Sequence, residues 1–152
     1  MRGRLCALGA CVAFVLGSTV FVAPTAGAIT KDACNQPIVV ARLAFGPGTV
    51  PRGGSSTARL SGRNCTRHPR TVTITWTATF SGNHAAGCPV IDPLRQNVTV
   101  PAGSALTASL RYLVPAGCTA THLTATARVT NAAGKLIRSK TADLRIIQPH
   151  SG

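Results

Sequence analysis

The segment RTVTITWTATF, residues 70–80, alternates threonine with mostly apolar side chains over nearly its whole length. Because side chains on a β-strand point to opposite faces with a period of two residues, this alternation predicts a strand. The threonine face suits a sheet surface and supplies no strong acid, base or metal ligand. The other face is predicted to lie in a core, with Trp76 as a core residue and not a platform for a ligand. That face consists of Val72, Ile74, Trp76, Ala78 and Phe80.

Residues 1–28 are typical of a secretory signal peptide. Two arginines precede an apolar run over residues 5–23, and the small-residue triplet AGA ends at Ala28, where cleavage is expected. We therefore predict export of residues 29–152. Two alternatives are weaker. An uncleaved anchor would need a run less diluted by glycine and serine, and the LGAC motif that would carry a lipid lies in the middle of the apolar run.

The predicted mature chain is the size of one domain with a single core. The full sequence carries a formal charge of +13, and removal of Arg2 and Arg4 leaves +11, with three aspartates and no glutamate. Scarce glutamate, glutamine and lysine beside abundant threonine and valine predict an all-β class. The bias toward alanine, glycine, threonine and arginine is typical of a bacterium with a GC-rich genome.

Seven alternating runs, the opening segment among them, are separated by glycine, proline and asparagine. Short strands at this spacing predict a seven-stranded β-sandwich and not a parallel sheet with crossover helices. The last run loses its alternation in the segment LIRSK, where we expect a bulge or a sheet edge. The predicted strands are residues 38–45, 55–64, 70–80, 95–100, 105–114, 121–131 and 136–147.

The seven runs, the tryptophan in the third and the segment VTVPAGSALTASLRYLVPAG, residues 98–117, resemble secreted bacterial immunoglobulin-like domains. Fibronectin type III modules and bacterial cell-adhesion-related domains give the best comparison. The resemblance covers residues 37–147 and implies an immunoglobulin-like β-sandwich, but it implies no functional site. The chain departs from antibody-type domains because its sixth predicted strand has no cysteine for a bond to the second. Leu123 also stands where fibronectin-like modules usually have tyrosine.

Four cysteines remain after the leader, namely Cys34, Cys65, Cys88 and Cys118. An even number in an exported chain predicts two disulfides, for which three pairings exist. In an up-and-down order of strands, the first two cysteines lie at one end of the fold and the last two at the other. We therefore predict Cys34–Cys65 and Cys88–Cys118, because other pairings would exceed the ~7 Å between Cα atoms that a disulfide tolerates.

A metal site competes with the second disulfide. The segments HAAGC and CTATH place His84 before Cys88 and His122 after Cys118 at spacings close to those of zinc ligands. Reduced thiols would let these four residues bind a metal. Export favours the oxidised pair, so the prediction is that the chain holds no metal and no cofactor.

The sequence predicts no catalysis. Acid–base chemistry usually needs paired carboxylates or a histidine beside a carboxylate, and the three aspartates, Asp32, Asp92 and Asp143, are scattered along the chain. No serine-hydrolase elbow, phosphate-binding loop or dinucleotide fingerprint occurs. The Asn-x-Thr sequons at Asn64 and Asn97 are incidental in a bacterial setting.

Basic residues concentrate at one predicted end of the fold and form the candidate polyanion site: Arg63, Arg67, Arg70, Lys135 and Lys31. A cluster of this kind attracts anionic polymers. Sequence-specific nucleic-acid binding is not predicted, because the four aromatic residues beyond the leader are expected in the core and leave no platform for bases.

The predicted function is a secreted, non-catalytic binding or adhesion module whose basic end binds polyanions of the cell envelope or the medium. The alternative is a secreted inhibitor or small-ligand carrier on the same scaffold. A basic surface that serves solubility alone is also consistent with the composition. No membrane span is expected once the leader is removed.

Overall fold

Eight β-strands make up the regular structure of the described residues, and none of these residues is helical. The structure is a computed structural model that describes residues 34–82 and 85–147. The predicted signal peptide and Lys31 lie outside the described residues. The strands are β1 (Ile38–Gly46), β2 (Thr49–Pro51), β3 (Ser55–Asn64), β4 (Arg70–Ser81), β5 (Ile91–Val100), β6 (Ala105–Leu113), β7 (His122–Asn131) and β8 (Leu136–Ile147).

The strands form two sheets around one core. The smaller sheet has the order β1-β3-β6, and the larger has the order β2-β8-β7-β4-β5. All neighbours are antiparallel except β2, which runs parallel to the end of β8. The larger sheet curls into a half-barrel. The all-β prediction is confirmed. Within the two described ranges, no helix is long and apolar enough to cross a membrane.

The alternation in β4 is confirmed. Trp76 is only 1% exposed and lies in the core with Val72 and Ile74, while Ala78 and Phe80 pack against that core from partly buried positions. The threonines between them are exposed or half-buried. β3, β6 and β7 show the same division of inward and outward residues. The opening segment is therefore a strand that buries one face.

Residues 34–82 and 85–147 form eight strands where the sequence predicts seven. The additional strand, β2, is three residues long and ends in Pro51, so it shows no alternation by which it could be recognised. Its pairing is long-range: Val50, which is buried, lies opposite Ile146 of β8. β5 also begins four residues before the predicted start, because Pro93 masks the pattern there. β5 is a sheet edge, where proline is tolerated.

The irregularity expected in the LIRSK segment is present. The pairing of β7 with β8 shifts register between Val129, which faces Arg138, and Thr130, which faces Leu136. The extra residue, Ile137, is left without a partner of its own, as in a β-bulge. The bulge lies next to the turn that joins β7 and β8.

Both predicted disulfides are confirmed. Cys34 and Cys65 are bonded with Cα atoms 5.6 Å apart, and Cys88 and Cys118 with Cα atoms 4.4 Å apart. The first bond lies at the end of the molecule where β3 ends and β4 begins, which we call the basic end. The second lies at the opposite end, beside the start of β7. Two disulfides fit an oxidising environment.

Candidate functional site

Four of the five residues predicted for the polyanion site lie at the basic end. Arg63 is near the end of β3, Arg67 is in the β3–β4 loop, and Arg70 is the first residue of β4. Lys135 is in the β7–β8 turn, where its backbone N–H donates to Asn131 Oδ1 and its carbonyl accepts from Asn131 N. The fifth residue, Lys31, is outside the described residues. Strand order thus brings together cations that are far apart in sequence.

The loop that carries Arg67 is held by the side chain of Asn64, which is fully buried. Asn64 Nδ2 lies 2.8–3.0 Å from the carbonyl oxygens of His68, Val100 and Pro101, to which it donates. Asn64 Oδ1 accepts from Thr66 N at 3.0 Å and from Thr66 Oγ1 at 2.8 Å. One amide therefore ties the β3–β4 loop both to itself and to the end of β5.

The Cys34–Cys65 disulfide and three backbone hydrogen bonds add to this restraint. Cys65 N donates to Pro37 O, Asn64 N donates to Ser104 O, and Gly103 N donates to Thr66 O, each at 2.9–3.0 Å. The loop is thereby attached to the segment before β1 and to the β5–β6 turn. Arg67 projects from a backbone that is fixed on several sides.

The four cations line two separate concavities. Arg63 and Arg67 line a cleft of about 410 Å³, together with the Cys34–Cys65 bond and Gly103. Arg70 and Lys135 line a larger groove of about 750 Å³ between the beginnings of β1, β4 and β8. The walls of this groove are largely apolar and include Pro37, Ile38, Pro69, Val72, Ala132, Ala133, Leu136 and Ile137. The basic end thus offers one compact cationic cleft and one amphipathic groove.

A second pair of cations, which the sequence pattern did not reveal, lies next to this end. Arg95 of β5 and Arg128 of β7 both lie opposite Thr75 of β4, on the outer face of the larger sheet. They line a cleft of about 390 Å³ that reaches Asn131 and Ala132, and both of these residues also border the larger groove. The alternation of each strand already indicates that Arg95 and Arg128 point outward. That they lie close together follows only from the register of β5 and β7 on β4.

At the opposite end of the molecule, the structure describes three of the four alternative zinc ligands, namely Cys88, Cys118 and His122. The Cys88–Cys118 bond uses both sulfur atoms, which removes them as thiolate ligands in this state. His122 Nδ1 lies 3.0 Å from Thr121 Oγ1, and His84 lies outside the described residues. No group of three or more metal-ligating side chains occurs in the part of the chain that the structure describes.

The two aspartates that the structure describes lie apart and form no pair. Asp92 is exposed near the start of β5. Asp143 of β8 is also exposed, and its Oδ1 accepts a hydrogen bond of 2.6 Å from Thr124 Oγ1. Burial raises the pKa of Tyr112 in β6 to about 12. Asp92, Tyr112 and Asp143 lie on three different strands. The absence of catalysis stays a prediction.

No protein-family model matches the chain, and no curated protein matches it. Similar solved structures include an alkylpurine DNA glycosylase from Pseudomonas fluorescens, determined with DNA containing an abasic-site analogue, with a TM-score of 0.50 and 11% identity over 72% of this chain and 30% of that one. Another is a cycloisomaltooligosaccharide glucanotransferase from Paenibacillus sp., with a TM-score of 0.48 and 17% identity over 70% of this chain and 14% of that one.

A β-glucuronidase of glycoside hydrolase family 2 is also similar, with a TM-score of 0.47 and 11% identity over 73% of this chain and 13% of that one. The chain therefore spans less than a third of the length of each of these proteins. Similarity at this level of identity concerns the arrangement of strands and carries no activity, substrate or partner to this chain.

Proposed function

We propose that the protein is a secreted, non-catalytic binding or adhesion module on an immunoglobulin-like scaffold, and that its basic end binds anionic polymers of the cell envelope or the medium. The observation that supports it most is the convergence of Arg63, Arg67, Arg70 and Lys135 at one end of the strands. The leader in residues 1–28 and the two disulfides support export.

The restraint on the β3–β4 loop supports binding and not mere solubility. A binding loop that is already ordered loses less conformational entropy when it meets its partner. Arg67 gains this advantage from the buried Asn64 amide and from the Cys34–Cys65 bond. Arginine also suits phosphate and sulfate, because its planar guanidinium donates two parallel hydrogen bonds.

The groove beside Arg70 supports a second candidate function, that of a small-ligand carrier. Its volume of about 750 Å³ falls in the range of small-molecule sites, which are mostly apolar with a few polar groups. Arg70 and Lys135 at its border would select a ligand with an anionic group and an apolar body. This candidate predicts binding of a monomeric ligand, whereas the first requires a polymer.

The experiment compares two variants that remove equal charge. Arg67→Gln/Arg70→Gln neutralises the basic end. Lys140→Gln/Arg145→Gln is the matched control on β8. Retention on an immobilised teichoic acid column is measured as the salt concentration at elution. The proposal predicts earlier elution of the basic-end variant than of the control variant, with equal melting temperatures.

Equal shifts for the two variants would mean that net charge alone governs retention, and the proposed site would be wrong. Tight binding of a monomeric anionic amphiphile, together with weak retention on the polymer, would favour the carrier function instead.

A further inference from the structure

The outer face of the smaller sheet carries one arginine in each of four successive rows of residues. β3 is the central strand of this sheet, and its outward residues pair with β1 on one side and β6 on the other. Counted from the basic end, the four rows contain Arg63 of β3, Arg42 of β1, Arg59 of β3 and Arg111 of β6. We call these four residues the arginine stripe.

The register fixes the positions within the stripe. Arg42 lies opposite Ser61, the outward residue that follows Arg63 by two positions toward the middle of β3. Arg111 lies opposite Thr57, two positions beyond Arg59. None of the residues in these four rows is acidic, and the residues beside the arginines are small or β-branched: Val39, Ala44, Gly46, Thr57, Ser61, Ala105, Thr107 and Ser109. The side chains beside the arginines are therefore shorter than the arginine side chains and do not cover them.

A bulge in β1 places Arg42 on this face. The pairing of β1 with β3 shifts register between Val40 and Arg42, so that Ala41 is the extra residue. Without the shift, Arg42 would lie opposite Leu60, which is buried. With it, Leu43 takes the inward position and Arg42 is exposed. Bulges re-aim side chains in this way, and here the result completes the second row of the stripe.

The stripe is long enough to contact several repeating units of an extended polymer. Outward residues two positions apart on a strand are separated by about 6.8 Å, so the distance from the row of Arg63 to the row of Arg111 is about 20 Å. The far end is oriented, because Arg111 donates to Ser55 Oγ from Nε at 3.1 Å and from Nη2 at 2.8 Å. The near end is Arg63, which also lines the basic-end cleft with Arg67.

We propose that the arginine stripe extends the basic end into a track along which one linear phosphate polymer without bases lies. This inference rests on the proposed function and names the polymer and its path. Regularly spaced arginines suit the repeating phosphates of an extended chain. The polymer lacks bases because Trp76 and Tyr112 are buried and Phe45 and Phe80 pack against the core, which leaves no described aromatic ring on this face for stacking.

The test measures affinity for two probes of different length. Inorganic tripolyphosphate is too short to reach from Arg63 to Arg111, whereas long-chain polyphosphate covers the whole track. The variants are Arg42→Gln/Arg59→Gln in the stripe, Arg67→Gln/Arg70→Gln at the basic end, and Lys140→Gln/Arg145→Gln as the control of equal charge. The affinity of each variant for each probe is measured at a series of salt concentrations. The protein used is the predicted exported chain, residues 29–152.

The stripe variant is expected to bind tripolyphosphate as the parent does. For long-chain polyphosphate, its slope of log affinity against log salt should fall by about 1.4, since each lost contact to a flexible single chain contributes about 0.7. The control variant should change that slope less. If stripe and control variants change equally, the track does not exist. The proposed function has its own test within the same experiment. It is wrong if the basic-end variant loses no more affinity for long-chain polyphosphate than the control variant does.

A third probe tests the chemistry of the polymer. A single-stranded oligodeoxynucleotide is compared with an abasic strand of the same length. Equal affinity for the two strands supports recognition of phosphates alone. Tighter binding of the strand that carries bases, with a loss of that difference in Arg42→Gln/Arg59→Gln, would show stacking on this face and overturn the proposal of a polymer without bases.

Discussion

Asn64 is the residue on which the candidate site depends most, although it carries no charge. Its buried amide donates to three carbonyl groups and accepts from Thr66. In the sequence, Asn64 stands out only as part of an incidental Asn-x-Thr sequon. The full burial of the side chain leaves its amide without access to a modifying enzyme in the folded protein. The sequence did hold a local indication of this role, because asparagine in loops commonly hydrogen-bonds to the backbone two residues ahead.

Replacing Asn64 with alanine should lower the free energy of unfolding by about 1–3 kcal/mol, because the buried carbonyl of Val100 and the partly buried carbonyls of His68 and Pro101 would lose their donor. Asn97→Ala is the matched control, since Asn97 lies on exposed β5 and accepts a hydrogen bond from Thr73 Oγ1. Urea denaturation measures both variants. Equal, small effects would contradict the role given to Asn64.

Tyr112 provides a prediction about pH. Burial raises its pKa to about 12 in the folded protein, against about 10 in an unfolded chain. The folded state therefore keeps its proton where the unfolded state loses it. This contribution to stability is complete below pH 10 and is lost as the pH rises from about 10 toward 12.

The chain has one tyrosine, so the ultraviolet absorbance of tyrosinate reports on Tyr112 alone. Ionisation is expected near pH 12, together with unfolding detected by the fluorescence of the single tryptophan. Reversible ionisation near pH 10 with unchanged tryptophan fluorescence would show that the Tyr112 hydroxyl is exposed to water.

At the scale of elements, alternation predicted the strands that bury one face. β3, β4, β6 and β7 have the predicted extents to within about a residue at each end. The sequence failed where pairing is long-range or where proline interrupts the pattern. β2 exists through its parallel contact with β8, and the start of β5 is obscured by Pro93. The bulge that exposes Arg42 also required the register between β1 and β3.

The two disulfides should contribute similarly to stability but differently to binding. They close loops of nearly equal length, with sequence separations of 31 and 30 residues, and each should contribute roughly 3–4 kcal/mol on the chain-entropy model. Cys34→Ser/Cys65→Ser should also weaken polyanion binding, because it releases the loop that carries Arg67. Cys88→Ser/Cys118→Ser, at the opposite end, should leave binding unchanged.

Calorimetry and polymer affinity, measured on both variants below their melting temperatures, check this difference. Equal loss of polymer affinity in the two variants would indicate that overall stability controls binding and that the restraint on the basic end does not.

For the whole molecule, the sequence predicted that Arg63, Arg67, Arg70 and Lys135 share an end of the fold, because the order of strands assigns each loop to one end or the other. It did not predict that Arg70 and Lys135 lie in a groove separate from that of Arg63 and Arg67. It also did not predict the cationic pair Arg95 and Arg128 or the arginine stripe. These arrangements join residues across strands, and their register is absent from the pattern of any single segment.

Binding of a linear polyanion at the basic end can be located residue by residue with nuclear magnetic resonance. Backbone amide shifts of the labelled protein are recorded during titration with long-chain polyphosphate. We expect the largest shifts at the backbone amides of the basic end: Thr66, Arg67, His68, Gly103 and Lys135. Shifts concentrated instead around Cys88 and Cys118 at the opposite end, or spread evenly over both sheets, would contradict this expectation.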